Sequence, residues 1–159
     1  MFWIRERSWL LQPHSNLRQR CFKKRFGLSH VISLIEGIRD ALGFEVDLAI
    51  DCHGQFDLPS AITLAKAVEP LRLLWLEEPV PAENVSALAQ VKASTSTVIC
   101  SGENQYTRFE FLELFAARAV DVIMPDLSKA GGMAEAKRIE QEHRNAARKV
   151  DEATPLDIP

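Results

Sequence analysis

The sequence predicts an α/β protein, a partial (β/α) or TIM-type barrel of about five consecutive βα units. Short apolar runs alternate with segments of helical periodicity along most of the 159 residues, as expected for parallel strands joined by helices. In addition, three successive runs end in a carboxylate at equal spacing, at Asp51, Glu77 and Glu103. A complete barrel takes about 250 residues, so this length accommodates five units at most.

Composition and charge exclude several classes of protein. Apolar residues make up 47% and charged residues 26% of the chain, as is usual for a globular domain with a real core. The net charge of −3 does not favour nucleic acid or an anionic membrane as a partner, and no apolar run approaches the roughly 20 residues of a membrane span. The widely spaced Cys21, Cys52 and Cys100 indicate buried thiols in a reducing compartment, hence a cytoplasmic protein.

The chain divides into three segments. Residues 1–20 are rich in aromatic residues and arginine and do not resemble the rest, so they are either a transit peptide or, as we favour, an unrelated start. Residues 21–146 form the predicted barrel domain. Residues 147–159 are polar and contain proline, which predicts a disordered tail.

The first predicted unit consists of the strand CFKKRFG, residues 21–27, and a helix. Lys23 and Arg25 share one face of this strand because strand side chains alternate. Helical spacing of apolar residues begins at His30, and Gly43 is the expected C-cap.

The next two strands carry acidic residues at their ends. Within VDLAIDCHG, residues 46–54, Asp51 and His53 share a face because they are two residues apart. The strand LRLLWLEE ends in Glu77 and Glu78, which point to opposite sides, so at most one of them joins a common site directly. Each strand is followed by a segment of helical period.

The last two units follow the same plan. The strand TVICSGEN contains Glu103, and its helix is YTRFEFLELFAARA. The strand VDVIMP ends at Asp126, and Gly131 and Gly132 precede a final helix that becomes highly charged and solvated.

Three carboxylates at the ends of successive strands predict a metal site. Parallel strands of a barrel end on one rim, so Asp51, Glu77 and Glu103 are expected to meet there. Carboxylates brought together repel one another and hold protons, and a hard cation such as Mg²⁺ removes that repulsion. His53, two residues from a predicted ligand, is a candidate acid or base.

Five motifs in order, KKRFG, DCHG, WLEEPVPAEN, SGENQYTR and MPDLSKAGG, resemble the enolase superfamily, specifically its mandelate racemase-like sugar-acid dehydratases. The resemblance covers roughly residues 21–139. It implies an enolase-superfamily C-terminal domain with Mg²⁺ held by Asp51, Glu77 and Glu103. The first glutamate of the EEP pair is the family's ligand, which agrees with the spacing.

The same resemblance implies catalytic roles for four residues. Lys23 and Arg25 occupy the position of a Lys-x-Lys-like base, although arginine does not readily lose its proton. His53 matches the histidine that protonates the leaving hydroxyl in mannonate and galactonate dehydratases, and Asp126 matches the aspartate of a His-Asp dyad. Lys129 is near the site without matching the catalytic lysine of the muconate-lactonizing group.

The implied reaction removes the proton α to a carboxylate of a small sugar acid through a metal-stabilised ene-diolate, by dehydration or racemisation. The alternative is a truncated, inactive fragment that retains at most metal binding, since the family's capping domain and last strands are not found in the sequence. An opened barrel exposes edge strands, which favour a homo-oligomer or pairing with another chain.

Overall fold

A computed structural model describes residues 27–153, with the side chains of residues 27–146. Four short strands form one parallel sheet, and each pairs with the next along the chain. They are Ala49–Asp51 (β1), Trp75–Glu77 (β2), Ile99–Ser101 (β3) and Val122–Ile123 (β4). Parallel neighbours require a crossover between them, and helices supply each one. The predicted α/β fold, a partial (β/α) barrel, is confirmed.

Helices precede, separate and follow the strands within the described range. They are Leu28–Leu42 (α1), Leu58–Ala67 (α2), Val85–Ala93 (α3), Thr107–Ala116 (α4), Leu127–Ala130 (α5) and Met133–Ala153 (α6), with a 3-10 turn at Glu69–Leu71. Side chains that accept from the first free N–H groups set three of the starts: Asp57 accepts from Ser60 N, Asn84 accepts from Ala87 N, and Asp126 caps α5.

The structure locates the first and last helices of the predicted domain, while the predicted domain limits and first strand stay predictions. Residues 21–26 of the predicted first strand lie outside the described part of the chain, and Lys23 and Arg25 are among them. Gly43 is the C-cap of α1, as predicted. The final helix continues to Ala153, beyond the predicted domain limit at residue 146, because its residues are strong helix formers with no glycine or proline among them.

The core lies between the sheet and one face of the helices. Leu76 and Ile99 on the central strands are fully buried, and the helices contribute apolar side chains that are equally buried: Ala61, Leu64, Leu88, Val91, Phe111, Leu114 and Ile139. Each large side chain removed from water contributes about 1.5–3 kcal/mol. The core therefore fixes the sheet, and the carboxyl ends of its strands form a common rim.

Strands β1 to β3 end earlier than predicted because residues with positive φ turn the chain out of the sheet at this rim. His53 follows β1 with φ 51°, Glu78 follows β2 with φ 39°, and Gly102 follows β3 with φ 137°. An extended strand cannot continue through such a conformation. As a result, His53, Glu78 and Glu103 lie in tight turns just beyond the strands, whereas Asp51 and Glu77 are the last residues of β1 and β2.

Candidate functional site

The three predicted metal ligands lie at one rim of the sheet. Asp51 and Glu77 are the last residues of β1 and β2 and are direct partners in the parallel register. Glu103 lies two residues beyond the end of β3. The negative charges of Asp51 and Glu103 both act on the carboxyl of Glu77, so the structure brings the three side chains into electrostatic contact.

Glu77 is the buried member of this group, with 1% of its surface exposed. Burial is the main cause that raises the pKa of its carboxyl to about 7, and the charge of Asp51 adds to it. Trp75 opposes the shift, because its indole Nε1 donates to Glu77 Oε2 at 3.3 Å. A carboxyl in this state binds a proton or a cation more readily than an exposed one.

Gly102 sets the position of Glu103. A Cβ at residue 102 would lie 3.0 Å from both Met124 N and the Phe111 ring, and the φ of 137° is one that other residues rarely adopt. Only glycine fits this turn without displacing its neighbours. The close approach of the turn to Met124 lets Glu103 return to the rim occupied by the other two carboxylates.

His53 lies between two of the carboxylates. Its Nδ1 is 3.5 Å from Glu103 Oε1 and 3.8 Å from Asp51 Oδ2, and 61% of its side chain is exposed. Asp51 Oδ1 also accepts from the backbone N of His53 at 2.9 Å. The pairing of Asp51 with His53 therefore arises from a tight turn, whereas the sequence had suggested alternation along a strand that in fact ends at Asp51.

The carboxylate of Glu78 also lies near the site, whereas the sequence predicted that at most one of the paired glutamates would join it directly. The left-handed turn at this residue directs its carboxylate to Asn104, whose Nδ2 donates to Glu78 Oε2 at 2.7 Å. Burial is the main cause that raises the pKa of Glu78, and the charges of Glu103 and Asp51 act in the same direction. Glu78 is thus a fourth acidic member of the cluster, 2% exposed.

Asn104 and Lys129 complete a hydrogen-bonded chain that the sequence did not reveal. Lys129 Nζ donates to Asn104 Oδ1 at 2.8 Å, and Asn104 Nδ2 lies 3.5 Å from Glu103 Oε1. The signal available in the sequence was the position of Asn104 beside Glu103. A partner for Lys129 in the turn of another βα unit cannot be read from spacing alone.

Asp126 caps the short helix α5. Its Oδ1 accepts from Ser128 N at 2.8 Å and from Lys129 N at 3.4 Å. Hydrogen bonds from Ser128 lower the pKa of Asp126, and Lys129 contributes less. Its structural role is therefore to start the helix that carries Lys129, and its predicted catalytic role stays a prediction, as do those of Lys23 and Arg25.

The donor chemistry of the rim fits Mg²⁺, which prefers carboxylate oxygens. Glu77 is buried beside two further carboxylates, and within residues 27–146 no lysine or arginine forms an ion pair with Asp51, Glu77 or Glu103. The side chains of Asp51, Glu77 and Glu103 share the rim, but in their observed conformations no three acidic, histidine or cysteine groups among the described residues are arranged to hold an ion. Side-chain rotation at the rim would have to bring the three together.

Comparison with known proteins decides the family. The sequence model of enolase C-terminal domain-like proteins matches residues 14–150. The chain belongs to this family. Enolase C-terminal domains are (β/α) barrels, which agrees with the parallel sheet and its helices.

Curated relatives of this chain include sugar-acid dehydratases. D-xylonate dehydratase of Haloferax volcanii is 41% identical over 112 residues, which is 70% of this chain and 27% of that protein. D-galactonate dehydratase of Variovorax paradoxus is 41% identical over 108 residues, or 68% of this chain and 28% of that protein. The chain thus spans about a quarter of the length of these relatives.

Solved structures of the superfamily share the fold. A mandelate racemase/muconate lactonizing enzyme-like protein from Rubrobacter xylanophilus is 57% identical with a TM-score of 0.70, covering 76% of this chain and 30% of that one. L-talarate dehydratase from Polaromonas, complexed with Mg and L-glucarate, is 26% identical with a TM-score of 0.73, covering 86% and 43%. An enolase from Bradyrhizobium holds magnesium and mandelic acid, at 33% identity, a TM-score of 0.74 and coverage of 77% and 34%.

Proposed function

We propose that this chain carries the metal-binding part of a Mg²⁺-dependent enzyme of the sugar-acid dehydratase or racemase type. Such an enzyme removes the proton α to the carboxylate of a small acid. The observation that supports this most is the cluster of Asp51, Glu77 and Glu103 at the ends of adjacent parallel strands, with His53 between two of them.

Asp51, Glu77 and Glu103 are the proposed Mg²⁺ ligands. Bound there, Mg²⁺ would supply positive charge to stabilise the negative charge that develops on the substrate carboxylate when the α proton leaves. Glu77 is buried among like charges, which raises the free energy of the cluster when no cation is bound. Binding of a cation is favoured for this reason.

His53 is the proposed general acid. Its exposed imidazole is open to a small molecule, and its Nδ1 lies beside the carboxylates of Asp51 and Glu103. In a dehydration, His53 would donate a proton to the leaving β-hydroxyl. Lys23, Arg25 and Asp126 stay predicted catalytic residues, and Lys23 and Asp126 are the candidates for proton abstraction because arginine does not readily lose its proton.

The proposed substrate is a sugar acid such as an aldonic acid, in keeping with the dehydratases among the relatives. None of the helices that the structure describes has the length and apolar character of a membrane span. Cys52 and Cys100 are free and buried, which supports the proposal of a reducing, cytoplasmic location.

The test is a calorimetric Mg²⁺ titration of the 159-residue chain, with and without a panel of aldonic acids, followed by an assay for the keto acid produced by dehydration. We expect Mg²⁺ binding that is lost in Glu77→Gln and retained in Glu69→Gln, which changes an exposed carboxylate away from the rim. His53→Ala should bind Mg²⁺ and lose dehydration.

Three outcomes are informative. Unchanged Mg²⁺ affinity in Glu77→Gln would contradict the ligand assignment. Turnover that survives in His53→Ala would contradict the assignment of the acid. Mg²⁺ binding without any turnover on the panel would favour the alternative function, a chain that retains metal binding alone.

A further inference from the structure

We propose that Lys129 is a positioning residue, which orients the side-chain amide of Asn104 so that its N–H groups face the carboxylates of Glu78 and Glu103. The inference deepens the proposed function, because it concerns the same acidic cluster. It assigns to Lys129 and Asn104 the task of holding the cluster in shape.

The geometry of the contacts carries this proposal. Lys129 Nζ donates to Asn104 Oδ1 at 2.8 Å, and the amide nitrogen on the other end donates to Glu78 Oε2 at 2.7 Å. The same nitrogen lies 3.5 Å from Glu103 Oε1, at the long limit of a hydrogen bond. One amide therefore links the turns after β2 and β3 to helix α5.

The donor and acceptor inventory explains why the lysine is needed. An asparagine side chain presents an acceptor at one end and donors at the other, so it can in principle be placed either way round. An ammonium group only donates and an ionised carboxylate only accepts. With Lys129 on one side and Glu78 on the other, a single orientation of Asn104 satisfies both neighbours.

The position of Lys129 is itself well defined. Asp126 accepts from the backbone N–H groups of Ser128 and Lys129, and Gly131 ends helix α5 in a left-handed conformation. The helix places the lysine stem beside the rim, so the ammonium reaches Asn104. The positive charge of Lys129 therefore lies near the acidic cluster, and the neutral amide of Asn104 lies between the ammonium and the carboxylate of Glu78.

Mg²⁺ affinity provides the first test, measured by titration calorimetry on the full chain. Because partners that orient metal ligands typically change affinity by about 10–100-fold when removed, we expect losses of that size in Lys129→Met and in Asn104→Ala. If the lysine acts through the amide, the double variant binds no more weakly than Asn104→Ala alone. Losses that simply add in the double variant would overturn the proposal.

Control variants separate positioning from general effects of charge or folding. Lys129→Arg keeps a donor-only cation and should restore most of the affinity, whereas a loss equal to that of Lys129→Met would count against the proposal. Lys92→Met removes a similarly half-buried lysine, which pairs with Asp121 at 3.0 Å away from the rim, and should leave Mg²⁺ affinity unchanged. Lys129→Ala serves as a second truncation if Lys129→Met does not fold.

A second measurement needs no metal. The Asn104 side-chain amide signals in a ¹⁵N-labelled sample, assigned by their loss in Asn104→Ala, should be protected from solvent exchange in the wild type and in Lys129→Arg. They should lose protection in Lys129→Met, and unchanged protection there would overturn the orienting role. If the wild type binds no Mg²⁺, the proposed function fails, while this measurement still decides whether Lys129 orients Asn104.

Discussion

At the scale of single residues, Glu77 makes the metal-free protein sensitive to pH. Burial and neighbouring carboxylates raise its pKa from 4.5 to about 7, so the folded protein holds a proton that the unfolded chain releases near pH 4.5. Stability from this group is complete below the unfolded value and falls as the pH rises towards 7. Glu77→Gln should therefore be more stable than the wild type at pH 8, by about 1–3 kcal/mol.

Denaturant unfolding at several pH values in EDTA checks this prediction. The difference between Glu77→Gln and wild type should shrink as the pH falls and vanish near pH 4. Glu69 provides a control of opposite sign, because hydrogen bonds from Thr95 and Ser96 lower its pKa. Glu69→Gln should be less stable than wild type at pH 8 and equal to it at low pH, and a gain at pH 8 in both variants would contradict the electrostatic explanation.

Residue spacing was enough to identify Asp51, Glu77 and Glu103 as neighbours, because regular βα units place strand ends on one rim. Spacing failed for Glu78, since strand alternation assigns it to the opposite side and only the positive φ of this residue returns it to the cluster. The contact between Lys129 and Asn104 joins two separate units, and no local pattern encodes it.

At the scale of elements, the turn after β3 controls where Glu103 lies. Gly102→Ala would place a methyl group 3.0 Å from Met124 N and the Phe111 ring at an unfavourable φ, so we expect a loss of about 2–4 kcal/mol in unfolding free energy. Because the turn must shift, Mg²⁺ affinity should fall as well. Calorimetry and thermal unfolding of the same samples measure both effects.

Gly37 is the matched glycine for this comparison. It lies on the exposed side of helix α1, and a Cβ added there would have no atom within 4 Å. Gly37→Ala should stabilise the protein by about 0.5–1 kcal/mol, because alanine favours helix, and should leave Mg²⁺ affinity unchanged. A Gly102→Ala protein as stable as the wild type would show that the turn is looser than the structure indicates.

Helices were easier to predict than strands. Apolar periodicity and the C-cap Gly43 locate the longer helices to within a few residues, whereas the four-residue helix α5, which Asp126 caps, was not predicted. The strands are only two or three residues long. Residues with positive φ follow β1, β2 and β3, and apolar runs in the sequence do not record backbone φ. The chemistry of the site depends on these turns.

At the scale of the whole molecule, the sheet has open edges within residues 27–153. Strands β1 and β4 each have one neighbour there, and unpaired strand edges favour association. We expect the chain to self-associate, which sedimentation velocity would detect as a sedimentation coefficient that increases with protein concentration. One monomeric boundary at all concentrations would contradict this expectation.

Mg²⁺ should also change the stability of the whole fold, because its proposed ligands come from three consecutive βα units. A ligand that binds only the folded state at about 100 times its dissociation constant adds about 2.7 kcal/mol, which for a domain of this size raises Tm by about 5–10 °C. The rise should be reversed by EDTA, absent in Glu77→Gln and present in Glu69→Gln.

Sodium chloride at the same ionic strength controls for screening of the four carboxylates. Burial and, less strongly, repulsion raise the Glu77 pKa, and a bound cation competes with the proton that Glu77 then holds. The rise in Tm should therefore be larger at pH 8 than at pH 6, and a rise that is independent of both Glu77 and pH would place Mg²⁺ elsewhere on the protein.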